Sequence, residues 1–137
     1  MKKKRIETAT QAAAIIRAAL PKEQKEERVF VLPLDANGKM LAKPILVSVG
    51  RQDGTTAIDA GAIFREALTA RAEEIIVAHN HPSGNLTPSK ADIAATAKLR
   101  EASELLDVPL IDHLILGKGT EYLSLAESGN SHVLCKH

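Results

Sequence analysis

His79-Asn80-His81-Pro82-Ser83-Gly84-Asn85-Leu86-Thr87-Pro88-Ser89-Lys90-Ala91-Asp92 is the stretch around which the rest of the chain is interpreted. Its two histidines follow an apolar run at 75–78, which is typical of a buried strand. Side chains two residues apart in a strand point to the same side, so we expect both imidazoles to face one point. A chain that loops back can bring Asp92 to the same point. Two imidazoles and a carboxylate, with one position left for water, form the ligand set of an open, catalytic type of zinc site.

Asp92 also has a purely structural interpretation. Ser89-x-x-Asp92 has the form of a helix capping box with Asp in place of Glu. Thr87 as the N-cap, followed by Pro88, is an equally good helix start. Either start leaves Asp92 in the first helical turn, where an acidic side chain suits the helix dipole. The local pattern leaves open whether Asp92 serves only the helix start or also binds a metal.

The order and spacing of these residues resemble a known motif. His-x-His, seven residues, Ser, two residues and Asp is similar to the JAMM motif of the MPN/JAB metalloproteases, and the wording at 79–92 and 110–115 resembles the RadC branch. The resemblance implies that His79, His81 and Asp92 bind Zn²⁺. It also implies that Ser89 helps to stabilise the oxyanion of a tetrahedral intermediate. The implied activity is that of a zinc metallopeptidase-type hydrolase, which cleaves peptide or isopeptide bonds of a protein or peptide substrate with metal-activated water.

The general base of this family is not found where the resemblance leads us to expect it. An upstream glutamate should lie on the strand before Gly50, but residues 39–52 contain neither Asp nor Glu. Glu74 lies a strand length of roughly 17 Å from His79, and Asp53 belongs to the following loop. A positioned base contributes about 10²–10⁴ in rate. The base is therefore unassigned, and a catalytically inactive, metal-stabilised protein-interaction module is the alternative.

Composition and charge restrict the other classes of function. The 137 residues fit one domain, and the net charge of +1 creates no strong field for nucleic acid or an anionic membrane. Aromatic residues make up only 2% of the chain, which disfavours recognition of single strands by base stacking. The basic start, residues 1–5, is interpreted as a frayed, solvated terminus. DNA-repair-associated nucleic-acid binding therefore stays a weaker alternative, supported mainly by the family's name.

The cysteine content and the apolar pattern favour a cytoplasmic protein without a membrane span. Cys135 is the single cysteine, so the chain has no internal disulfide framework. It also lacks the Pro-Cys-x-x-Cys of zinc deaminases, which excludes that activity. No apolar run approaches the roughly 18 residues that suggest a transmembrane helix.

Local patterns predict an α/β fold: a single domain with a mixed β-sheet and helices packed on it, in agreement with the JAB/MPN fold and its cytidine-deaminase-like relatives. We predict an N-terminal helix and charged connector at 1–28, a RadC-like JAB/MPN domain at 29–129 and a tail at 130–137. The expected elements are a helix at 8–20, strands at 29–34 and 40–49, a helix at 60–71, a strand at 74–78, a helix at 89–107 and strands at 109–116 and 122–125.

Four finer expectations follow from single residues. Pro33 predicts that the first strand is an edge strand or carries a bulge. Asn37-Gly38 predicts a type I′ hairpin turn, and Pro44 an interruption of the return strand. His113 is interpreted as a hydrogen-bonded sheet histidine rather than a group beside the metal. Two helices should bury apolar stripes, which comprise Ala60, Phe64, Ala67 and Leu68 in the first and Ala91, Ala95, Leu99, Ala102 and Leu106 in the second.

Overall fold

The computed structural model describes residues 3–50 and 58–127, and within them it contains a five-stranded sheet and three helices. The elements are α1 (Ala9–Arg17), β1 (Glu27–Leu34), β2 (Ile45–Gly50), α2 (Ala60–Thr69), β3 (Glu74–Asn80), α3 (Lys90–Leu106), β4 (Leu110–Leu116) and β5 (Tyr122–Ser124). This order confirms the predicted α/β architecture. The expectations for Asp53, for Cys135 and for the tail at 130–137 fall outside the described residues, and the domain boundaries stay predictions.

The sheet has the strand order β2-β1-β3-β4-β5, with β3 at its centre. β3 pairs antiparallel with β1, where Val29 lies opposite His79, and parallel with β4, where Ile115 lies opposite His79. Parallel neighbours need a crossover connection, and α3 supplies it. The apolar run of β3 is buried on both faces, as its continuous pattern predicts.

Helices cover the sheet on both faces. One core packs α2 and α3, through residues such as Phe64 and Leu99, against Val29 and Val77. The other packs α1 against the opposite face of the same strands, through Ile16 among others. The end of β3 that carries His79 is therefore enclosed by α3 on one face of the sheet. None of the helices in the described parts of the chain is long and apolar enough to cross a membrane.

Of the two alternatives predicted from Pro33, the edge position is wrong, because β1 lies between β2 and β3. An irregularity is present in β1, but it lies at Val29 and Phe30 in the pairing with β2 and not at Pro33. The carbonyl of Pro33 accepts the N–H of Leu41 at 2.9 Å, on the hairpin side of the strand. Since the N–H and C=O of a strand residue point to the same side, the missing donor faces the hairpin segment, beyond the end of the β2 ladder. The ladder from Pro33 to β3 loses nothing. The interruption predicted at Pro44 is confirmed, as β2 begins at Ile45.

The hairpin turn is not of type I′, which requires a positive φ at two residues. Gly38 has a φ of +79°, whereas Asn37 is not among the residues with a positive φ. The Oδ1 atom of Asp35 accepts the N–H groups of Asn37 and Lys39, both at 2.9 Å, and thereby holds the turn with a single left-handed residue. The bond from Lys39 is the main reason that the pKa of Asp35 lies below its ordinary value.

The predicted helix starts are correct, whereas the predicted buried stripes are correct only in part. Thr8 caps α1 through a capping box, and Asp59 caps α2. Phe64 and Ala67 of α2 are buried as predicted, but Leu68 is 48% exposed, because α2 turns Ile63 toward the core instead. The buried residues of α3 are Asp92, Thr96, Leu99 and Ser103. Of the stripe predicted for α3, only Leu99 is fully buried, because the helix is rotated so that two polar side chains near its start face the end of β3.

Candidate metal centre

The end of β3 delivers both histidines to one side of the sheet. His79 is completely buried, and its Nε2 atom lies 3.1 Å from Nε2 of His81. The Nδ1 atom of His81 lies 2.6 Å from the carbonyl oxygen of Asn85, to which it donates. This bond fixes the ring of His81 and leaves its Nε2 atom directed at His79. Gly84, with a φ of +87°, allows the loop to turn back between these residues.

The start of α3 brings the carboxylate of Asp92 to the same point. Ser89 is the N-cap, its Oγ atom accepts the N–H of Asp92 at 3.0 Å, and Oδ2 of Asp92 accepts the N–H of Ser89 at 2.9 Å. The same carboxylate lies 3.3 Å from Nε2 of His79 through Oδ1, and 3.1 Å from Nε2 of His81 through Oδ2. Asp92 is therefore both a capping residue and a member of the histidine cluster.

His79, His81 and Asp92 together are close enough to bind a metal ion. Each offers one ligand atom, and these three atoms all lie within 4.8 Å of one another. We refer to them as the HHD cluster. Two members are completely or almost completely buried, whereas the side chain of His81 is 15% exposed. The cluster can thus be reached from solvent on the side of His81. Ser89 is an exposed residue at the same helix start, and its role in oxyanion stabilisation stays a prediction.

Mutual contacts shift the ionisation of the cluster toward a charged pair. Burial by itself would raise the pKa of Asp92, but the hydrogen bonds to His79 and His81 outweigh it and hold this pKa well below its ordinary value. The hydrogen bond to Asp92 raises the pKa of His81, against the opposing effect of burial. A metal ion that binds here must therefore displace a proton that Asp92 helps to retain on His81.

A second layer of buried polar groups lies behind the cluster. His113 of β4 is completely buried, and its Nε2 atom lies 2.8 Å from Nδ1 of His79. Its Nδ1 atom lies 2.6 Å from Oγ1 of Thr96, whose hydroxyl donates to the carbonyl oxygen of Asp92 at 2.8 Å. Burial, followed by the neighbouring His79, lowers the pKa of His113 well below its ordinary value. His113 is thus a hydrogen-bonded sheet histidine, but its partner is His79, so its position favours the alternative that the sequence interpretation set aside, a group beside the candidate metal ligands.

Strand β1 places a further carboxylate on the same face of the sheet as the HHD cluster. In β1, Val29 lies opposite His79, and Glu27 precedes Val29 by two residues, so its side chain leaves the sheet on the face of His79. One carboxylate oxygen of Glu27, Oε1, is buried. The charge of Glu27 also contributes to the raised pKa of His81, after the larger effect of the hydrogen bond to Asp92.

Sequence reasoning missed Glu27 because it assigned this residue to the charged connector within residues 1–28. The alternation Glu27-x-Val29-x-Val31 was available as a signal that this acid continues the inward face of a strand. However, only the strand order shows that this face adjoins His79. Glu74, by contrast, pairs with Leu34 at the opposite end of β3, as the estimated separation from His79 requires.

The side chain of Asn80 holds the backbone on both sides of Glu27. Asn80 is completely buried and points to the face of β3 opposite to its histidine neighbours. Its Oδ1 atom accepts the N–H of Arg28 at 2.6 Å, and its Nδ2 atom donates to the carbonyl oxygen of Glu26 at 3.1 Å and to Oε1 of Gln24 at 3.2 Å. This residue therefore continues the pairing of β1 and β3 beyond the last backbone rung.

Comparison with known proteins agrees with this arrangement. The family model of the RadC-like JAB domain matches residues 6–130. A UPF0758 protein of Thermosynechococcus vestitus is 43% identical over 122 residues, which cover 89% of this chain and 47% of that protein. UPF0758 proteins of Carboxydothermus hydrogenoformans and Methanosarcina mazei are 42% and 37% identical, over 74% and 79% of this chain and 44% and 46% of their own lengths.

The chain thus spans about half the length of the curated relatives that it matches. The family match covers most of the chain and contains every element of the sheet, the HHD cluster and the helix start that presents Asp92. The chain belongs to the RadC-like JAB domain family.

Proposed function

We propose that the protein is a zinc-dependent hydrolase of peptide or isopeptide bonds, with His79, His81 and Asp92 as the zinc ligands. The spacing of the HHD cluster carries this proposal. Ligand atoms about 2.0–2.1 Å from a tetrahedral zinc ion lie roughly 3.3 Å from one another. In the cluster, Nε2 of His79 lies 3.1 Å from Nε2 of His81 and 3.3 Å from Oδ1 of Asp92, and Nε2 of His81 lies 3.1 Å from the other carboxylate oxygen, Oδ2. Three protein ligands of this kind leave the fourth position for water or substrate.

When bound, zinc supplies the Lewis acidity that lowers the pKa of water and polarises a scissile carbonyl. In this proposal, side chains of the protein supply proton transfer and stabilisation of the oxyanion. Glu27 accepts the proton of the attacking water and returns it to the leaving amine. Ser89 accepts the N–H of Asp92 through its oxygen, so its own hydrogen is directed elsewhere and donates to the developing oxyanion.

Glu27 is the residue that makes hydrolysis the favoured function. Its inward-facing position on β1 and its partial burial beside His81 suit a base that acts on water at the open position. The lack of acidic residues at 39–52 was the main argument for an inactive, metal-stabilised interaction module. A carboxylate from β1 removes that argument. We further propose a cytoplasmic location, which rests on the single cysteine of the chain.

The first experiment measures zinc per chain and hydrolysis of peptide and isopeptide-linked substrates, on protein prepared without a histidine tag. We expect about one zinc per chain in the wild type and none in Asp92→Ala. Glu27→Gln should retain the zinc and lose about 10²–10⁴ in kcat, since only proton transfer is removed. Glu26→Gln is the matched control, because the side chain of Glu26 is 55% exposed, and it should keep the wild-type rate.

The outcomes of this experiment separate the alternatives. A wild-type rate in Glu27→Gln would remove Glu27 from the mechanism. Bound zinc without turnover on any of these substrates would favour the interaction module instead. A zinc-free wild type, even after zinc is supplied, would end the proposal as a whole.

A further inference from the structure

A chain of three buried hydrogen bonds connects two members of the HHD cluster from behind. It starts at the carbonyl oxygen of Asp92, passes through the hydroxyl of Thr96 and the ring of His113, and ends at Nδ1 of His79. The three links measure 2.8, 2.6 and 2.8 Å, and both Thr96 and His113 are completely buried. Of the three side chains that take part in these bonds, only that of His79 belongs to the HHD cluster.

When the hydroxyl of Thr96 donates to the carbonyl oxygen of Asp92, the number of hydrogens fixes the direction of the other two bonds. The hydroxyl of Thr96 has a single hydrogen, which it gives to the carbonyl oxygen of Asp92. Its oxygen must then accept from the Nδ1–H group of His113. A neutral imidazole with its hydrogen on Nδ1 has a lone pair on Nε2, so His113 accepts at that atom. The donor in this last bond is the Nδ1–H group of His79.

The direction of the chain decides which nitrogen of His79 carries a lone pair. With its hydrogen on Nδ1, the lone pair of His79 lies on Nε2, the atom 3.1 Å from His81 and 3.3 Å from Asp92. The reverse direction places the hydrogen on Nε2, where it can donate to Asp92 in the metal-free cluster but occupies the lone pair that a metal ion needs. It would also require Thr96 to give its one hydrogen to His113 and to release the carbonyl of Asp92.

We propose that Thr96 and His113 are positioning residues, which hold His79 in the Nδ1–H tautomer and thereby present its Nε2 lone pair to a divalent metal ion. This inference rests on the proposed metal site, but it does not depend on Glu27 or on any hydrolytic activity. Groups that orient a metal-binding histidine typically change metal affinity by about 10–100-fold when they are removed. The bond from Thr96 also connects this device to the helical turn that presents the carboxylate of Asp92.

The test compares Thr96→Val with Thr96→Ser. Valine has nearly the shape of threonine but no hydroxyl, whereas serine keeps the hydroxyl and loses only the methyl group. We expect Thr96→Val to bind Zn²⁺ about 10–100-fold more weakly than the wild type, measured by competition with a chromophoric chelator. Thr96→Ser should bind Zn²⁺ with the wild-type affinity, to within about threefold. Nuclear magnetic resonance spectra of both variants serve as the control that each is folded.

The second readout is the tautomer of His113 in the zinc-loaded protein, from the nitrogen chemical shifts of its ring. We expect the Nδ1–H tautomer in the wild type and in Thr96→Ser. An Nε2–H tautomer would overturn the inference, because His113 would then donate to His79. Equal zinc affinity of the Val and Ser variants would overturn it as well and leave the metal site intact. A wild type that binds no zinc would instead refute the metal site itself, and this inference with it.

Discussion

Replacing Asn80 by alanine tests whether its side chain holds the segment that carries Glu27. The side chain makes three hydrogen bonds, to the N–H of Arg28, to the carbonyl oxygen of Glu26 and to Gln24. Alanine removes all three and leaves the buried side of the sheet without these partners. We expect both the stability of the fold and the placement of Glu27 to be affected.

The structure allows the size of the effect on stability to be estimated. A typical intramolecular hydrogen bond contributes about 0.5–1.5 kcal/mol net, and a buried group left without its partner costs about 1–3 kcal/mol. The bonds to Arg28 and Glu26 involve backbone groups beside a completely buried side chain, so their loss is only partly compensated by water. We expect Asn80→Ala to lower the free energy of unfolding by about 2–4 kcal/mol.

Urea denaturation followed by circular dichroism, with zinc present at a fixed concentration, measures this change. Asn85→Ala is the matched control, because Asn85 is exposed and its side chain accepts only the N–H of Thr87. The control should lose less than about 1 kcal/mol. A loss of stability of the same size in both variants, or a loss below about 1 kcal/mol in Asn80→Ala, would refute the inference that Asn80 holds the backbone on both sides of Glu27. In the hydrolysis assay, Asn80→Ala should also lower kcat while zinc content stays unchanged.

Three further predictions concern the core and the metal site. Leu99→Ala should lower the free energy of unfolding by about 2–5 kcal/mol, because Leu99 is completely buried. Leu105 is 85% exposed, so Leu105→Ala should change this free energy by less than about 0.5 kcal/mol. Similar losses in both variants, measured by urea denaturation, would contradict the observed packing of α3. In the metal-free protein, the contact between protonated His81 and ionised Asp92 stabilises the fold at pH values between the depressed pKa of Asp92 and the raised pKa of His81. This stabilisation is lost as the pH rises through the pKa of His81, and also as the pH falls through the pKa of Asp92. The stabilisation by zinc should instead grow with rising pH, since zinc competes with the proton on His81. The melting temperatures of the metal-free and the zinc-loaded protein, measured over a range of pH, test this. If the two change with pH in parallel, the metal does not bind at His81. Finally, removal of zinc by a chelator should lower the melting temperature, and added zinc should restore it, because a ligand that binds only the folded state stabilises that state. A melting temperature that does not change when the chelator is added would argue against a bound metal.

Short-range features of the site were predictable because they depend on local backbone geometry. Two residues that are two apart in a strand share a face whatever surrounds them, so His79 and His81 could be paired without a fold. A capping residue is recognised within one helical turn, and Ser89 with Asp92 fits that rule. The loop of ten residues between His81 and Asp92 is short enough to return Asp92 to the end of the strand that it left.

The parts that could not be predicted depend on which strands are neighbours and on how a helix is rotated. Glu27 precedes His79 by more than fifty residues, and only the pairing of β1 with β3 brings its face to the cluster. His113 reaches His79 because β4 runs parallel to β3. The buried face of α3 likewise follows the cluster and not the most apolar stripe. Local geometry and the family resemblance thus indicated the candidate ligand set from the sequence, whereas the candidate base and the candidate orienting groups depend on contacts between distant segments, which only the tertiary structure specifies.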